Sequence, residues 1–245
     1  MSRAAAAVIL VGLVARCVGQ SVKADGTDGL PDAPSAAIAT PAEGETKPDS
    51  RPLAPKYHKY IGAEQQAVPF AAEDKMQFGL HDAFSLWSVG IWGLAGSWQT
   101  AINGSPNYPQ SWTGLGQRVG AAAIRDTTET LLVDSLFAPM FHEDPRYYQM
   151  GKRAGHVHRF LYAVTRPLIT RSDAQGTVPN TALLAGDLGA ILLTNAYYPQ
   201  RNRGVSQTCK SYGLSLGAIA LGDAFQEFKF DVLDAWRERR EKRQQ

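Results

Sequence analysis

The stretch AFSLWSVGIWGLAGSWQTAIN, Ala83–Asn103, decides the fold. It carries no charge, and none follows it before Arg118. Its apolar residues lack the strict alternation of a half-exposed strand, so the segment reads as helix. At about twenty residues it is long enough to reach across a bilayer. Gln99, several serines and three tryptophans nevertheless keep its hydropathy moderate. It ends at NGSPNYP, a turn cluster.

The same texture continues outward. Segments rich in Ala, Leu and Gly alternate with short polar or proline-bearing breaks. The pattern predicts five main helices: Asp74–Ile102, Gly116–His142, His156–Arg171 with Pro167 kinking or shortening it, Asn180–Tyr198 closed by Pro199, and Val205–Arg240. The expected fold class is therefore all-α, a bundle of five to six Gly/Ala-rich helices over residues 74–245.

Upstream the composition changes. Residues 20–73 hold seven of the fourteen prolines and few apolar residues. Such a segment cannot bury enough surface to offset its conformational entropy, so it reads as a disordered tether. Residues 1–19 carry Arg3, then an apolar core and small residues around CVGQ, the pattern of a secretory signal peptide. The expected location is thus outside the cytoplasm, in the cell envelope, either periplasm or outer membrane. Removal of Cys17 would leave Cys209 alone, and burial is the expectation for it.

The near balance of 25 basic and 23 acidic residues argues against a nucleic-acid partner. Charge is unevenly placed, however. Asp82, Asp187 in LLAGDLGAILL and Asp223 in AIALGDAFQEF interrupt otherwise apolar helices. Arg118, Arg125 and Glu129 share one face of the second helix, and Arg159 and Arg166 one face of the third. A buried charge without a partner is prohibitive, so the acids are expected to include partners of Arg118, Arg125 or Arg166. Stripes that simply face water are the plain alternative. The pairs Gly93/Gly96, Gly186/Gly189 and Gly213/Gly217 suit close helix contact, in lipid or in water.

FHEDPRYYQMG, Phe141–Gly151, gathers the side chains that could carry chemistry. Pro145 pushes Asp144 out of the helical region, so a helix must end just before it. Punctuation accounts for every residue except His142. The catalytic reading makes His142 a general base, with Asp144 and Arg146 as its acid and anion-binding partners. No nucleophile, H-E-x-x-H zinc motif, P-loop or dinucleotide fingerprint accompanies it. No cofactor or metal is therefore expected. Trp87 and Trp98, together with the tyrosine pairs Tyr147, Tyr148 and Tyr197, Tyr198, read as anchors at an apolar–wet boundary.

GLPDAPSA behind the leader, HEDPRYY, the helix end NAYYP and the closing GDAFQEF resemble a family of uncharacterised exported, helical proteins of Gram-negative bacteria. The resemblance covers most of the chain after residue 75. It implies export and envelope association, and it brings no activity, cofactor or catalytic residue. The expected role is structural or interaction-based, with membrane lipid or an envelope protein as partner and the oligomeric state open. A periplasmic hydrolase at HEDPRYY and a soluble periplasmic binding module are the alternatives.

Overall fold

A computed structural model describes residues 51–242. The expected signal peptide and residues 20–50 of the expected tether lie outside the described residues.

The chain is predominantly helical, with a small amount of sheet. Helix α1, Ala72–Ala83, and α2, Leu86–Ala101, replace the single helix expected from Asp74 to Ile102. Ser85 makes the break: its Oγ accepts the Ser88 N–H at 3.1 Å and caps α2 as a new helix. Split in this way, the uncharged stretch contributes a helix of 16 residues. Among the described residues no helix is long and apolar enough to cross a bilayer.

Helix α3, Trp112–Thr130, is capped by Ser111 and passes into a π-helical stretch, Leu131–Phe137, and a last turn, Ala138–Met140. π-helical geometry is rare and tends to occur at functional sites. Here it carries Asp134. Helix α4 is His156–Thr165, α5 is Thr181–Tyr197 with Asn180 as its cap, and α6 is Val205–Lys242. The π stretch occupies the middle of the packing, with α1 and α5 against it. α2 packs on α3, and α6 packs on α4 and α5. Two glycines let helices approach closely. A Cβ at Gly186 would meet Val133 Cγ2 at 2.4 Å, and one at Gly96 would meet Val119 Cγ2 at 2.5 Å.

The strands were not expected. β1, Tyr60–Ile61, runs parallel to β3, Tyr147–Tyr148, while β2, Glu143–Asp144, pairs antiparallel with β4, Ile169–Ser172. β4 returns antiparallel into β5, Thr177–Pro179. Pro167 therefore ends α4 outright, and residues 169–171 are strand rather than helix. β1 also moves the domain boundary. Residues 51–71, expected in the tether, pack on the domain, with Ala54 and Ile61 buried. Tyr147–Tyr148 offers free backbone groups for pairing, so a proline-rich segment with little apolar content is held by hydrogen bonds instead.

The polarity is inverted. The largest fully buried side chains include Arg118, Lys75 and Asp187, and most of the buried apolar residues are alanines. Leu86, Trp87, Leu94, Trp98 and Trp112 are exposed, from 62% to 91%. α6 likewise exposes Val205, Leu214, Leu221, Phe225 and Trp236. Soluble monomers rarely show apolar surface on this scale. Cys209, expected to be buried, is exposed near the start of α6.

Candidate functional site

Several of the interior polar groups line a cavity of about 300 Å³. Its acidic wall comes from α3 and the π stretch, which supply Asp126, Glu129 and Asp134. Arg166 and Arg171, from the end of α4 and from β4, form a basic wall. Lys59 and Tyr60 enter from β1 and the residue before it, and Asp223 from α6.

Some of these groups are committed to the fold. Asp126 accepts the Trp92 indole N–H at 2.7 Å. Glu143 accepts the backbone N–H groups of Thr181 and Ala182 at 3.0 Å each, at the positive end of α5. Asp144 and Arg146 form a buried two-pronged pair at 2.9 and 2.7 Å, and Tyr148 donates to the same carboxylate at 2.6 Å. That pair holds the Asp144 carboxyl below its ordinary range, against the burial that would raise it.

Others are not. Asp134 is 4% exposed, and among the described residues no donor reaches its carboxylate. Burial pushes it up to about 7, with Lys59 opposing. Asp223 is also pushed to about 7 by burial, against Lys59 and Arg166. Glu129 reaches about 7 for the same reason, and it pairs with Arg125 at 3.2 Å. Lys59 donates to Asp82 at 2.6 Å. Its burial, which alone would lower its pKa, is outweighed by Asp134 and Asp82, so the ammonium is held charged. Lys59 lines the cavity and keeps 41% of its side-chain surface accessible. Shifted groups gathered in a cleft mark functional sites more often than bare scaffolds.

The residues singled out by sequence are distributed as follows. Arg125 meets Asp187 at 2.9 Å, and Ser215 bridges the two. Asp82 meets Lys59 rather than an arginine. Arg118 spends its guanidinium on the carbonyls of Tyr108 and Pro109. The Arg166 guanidinium lies 4.2 Å from the Tyr162 ring centre, and its Nε is buried without a partner. His142 stands apart, with its side chain 83% exposed and its Nδ1 3.8 Å from Asp173. His142, Asp144 and Arg146 thus do not converge on one catalytic centre.

Trp87 and Trp98 do face outward, whereas Tyr147 and Tyr148 turn inward rather than to a boundary. The Tyr147 hydroxyl donates inward to Glu227 and that of Tyr148 to Asp144, because buried carboxylates are the stronger acceptors. Tyr197 and Tyr198 pack edge to face on each other, half-buried.

Lys59, Asp134, Arg171 and Glu227, the buried partner of Arg159, are site or core residues that sequence reasoning missed. Asp134 had a readable signal, since LLVDSLF sets a lone acid in an apolar run as Asp187 and Asp223 do. Among the described residues no group of three or more His, Cys, Asp or Glu side chains is placed to hold a metal ion. Compared with known proteins, the chain matches no family model, no curated protein and no solved structure.

Proposed function

We propose that the chain is a membrane-associated helical protein of the cell envelope, with a structural or interaction role. Its apolar outer faces lie against lipid without crossing the bilayer. The inverted polarity carries this reading: large apolar side chains point out from α2 and α6 while Arg118, Lys75, Asp187 and Glu227 are buried. An apolar surround explains both halves, because exposed Leu and Trp gain there and charged groups can only turn inward. The N-terminal leader pattern supports export.

The test is fractionation of cells expressing the full chain with a C-terminal tag, followed by a carbonate wash of the membranes. Retention in the washed pellet is the expected result. Release by carbonate, or recovery in the soluble fraction, would overturn the reading.

A further inference from the structure

We propose that the interior cavity binds a small zwitterion, an ammonium group joined to a phosphate or carboxylate. Glu129 and Asp134 on the acidic wall receive the ammonium, and Arg166 and Arg171 on the basic wall receive the anionic group. The inference rests on the cavity alone and stands or falls independently of the membrane reading.

The hydrogen-bonding capacity left over defines the ligand. Asp134, nearly fully buried, lines the cavity with both oxygens lacking a donor among the described residues. Asp223 has none either, and no ion pair joins it to Lys59 or Arg166 within the described residues. On the other wall the Nε of Arg166 is buried and unpartnered. Arg166 and Arg171 each lie over a tyrosine ring, at 4.2 Å from Tyr162 and from Tyr148. A ring face leaves the in-plane N–H donors of a guanidinium open for a planar or tetrahedral anion.

Simpler ligands fit less well. A bare anion would meet Glu129, Asp134 and Asp223. A bare cation would meet Lys59, Arg166 and Arg171. A metal ion lacks a set of donors close enough together among the described residues. A molecule carrying both signs satisfies both walls at once, since unpaired buried polar groups are what a ligand can most profitably complete. The cavity, about 300 Å³, has room for such a molecule, as a water claims roughly 30 Å³ of liquid.

The experiment is calorimetric titration of the purified full chain in detergent with O-phosphoethanolamine, ethanolamine and inorganic phosphate in turn. The zwitterion should bind, and each half should bind at least about tenfold more weakly. Asp134→Asn and Arg166→Gln should each weaken binding about tenfold or more. Arg153→Gln, at an exposed pair with Glu64, should leave it unchanged. Circular dichroism of each variant separates lost binding from lost fold, and an unfolded variant is replaced by Arg171→Gln. Equal binding of ethanolamine or phosphate to that of the zwitterion, or no binding at millimolar probe, overturns the proposal. Competition with vesicles identifies the source. Displacement by phosphatidylethanolamine but not phosphatidylglycerol assigns the site to a lipid headgroup, and an undisturbed probe assigns it to a free zwitterion. Displacement by both lipids alike overturns the zwitterion.

Discussion

Arg159 and Glu227 form a pair that is almost wholly removed from solvent. The Arg159 Nε donates to Glu227 Oε1 at 3.1 Å, and the two side chains are 2% and 0% exposed. The same carboxylate accepts the Tyr147 hydroxyl at 3.0 Å and the backbone N–H groups of Met150 and Gly151 at 3.1 and 3.2 Å. One side chain thereby ties α6 to α4, to β3 and to the loop that follows it.

Removing one partner of a buried pair strands the other, at a cost of about 3–5 kcal/mol. Glu227→Ala should therefore lower stability by about that amount. Glu227→Gln, which keeps the shape and an acceptor, should cost clearly less. Denaturant midpoints in one detergent would measure both. A loss below about 1 kcal/mol for Glu227→Ala would show that Asp231, the other partner of Arg159, carries the junction.

Much of this interior is readable from one signature, a lone acid in an apolar helical run. It marks Asp187, which meets Arg125, and Asp223, which lines the cavity. Applied to LLVDSLF it would also have found Asp134. Helix ends were legible where chemistry is local, as at Asn180 and Pro199. The break at Ser85 was not, because a two-residue interruption of an apolar period is invisible without the cap geometry. Lys59 was out of reach for a different reason. Its place depends on the backbone of Tyr147 and Tyr148, distant in sequence, and nothing in a proline-rich segment announces that pairing. The tyrosine pairs misled, since the same aromatic–basic cluster suits a membrane boundary and a buried hydrogen-bond network equally.

The glycine pairs, equivalent in sequence, should behave differently. Gly186→Ala would drive a Cβ into Val133, whose backbone nitrogen lies at 3.0 Å from its position. Overpacking of that kind costs about 1–3 kcal/mol. Gly213→Ala meets nothing within 4 Å and sits inside α6. It should be neutral or gain up to about 1 kcal/mol from helix propensity. Thermal midpoints of the two variants provide the comparison. Equal destabilisation would mean that Gly213 is also in close contact, with a second copy or a partner.

Stability should rise as pH falls from 8 to 5. Glu129, Asp134 and Asp223 have folded-state values of about 7, raised by burial, above their unfolded values near 4. Between those limits the folded chain holds protons that the unfolded chain has released. Folding is thus favoured by acid, and stability is lost as pH rises through the window. The slope is at most about 1.4 kcal/mol per pH unit for each group. Asp144 acts in the opposite sense, but its lowered value puts its loss at more acid pH. Lys59, held above its ordinary value, stays charged across the window and contributes no slope. The charges around Asp134 are Lys59, Asp82 and Asp144. Asp134→Asn should stabilise the protein at pH 8 and flatten the profile. Midpoints that fall from pH 8 to pH 5 would contradict this assignment.

The tryptophans report on the outer faces. Trp87, Trp98, Trp112 and Trp236 are exposed, whereas Trp92 is half-buried, with its indole N–H on Asp126. If the apolar faces lie against acyl chains, most of the indoles sit within reach of lipid. Reconstitution into vesicles of phosphatidylcholine brominated on its acyl chains should quench more than half of the emission. Trp87→Phe with Trp98→Phe should remove much of the quenchable part, while Trp92→Phe should remove little. Ordinary lipid with a water-soluble quencher such as iodide provides the mirror image, since lipid-covered indoles are shielded from it. Strong iodide quenching together with no effect of bromine would place α2 in water.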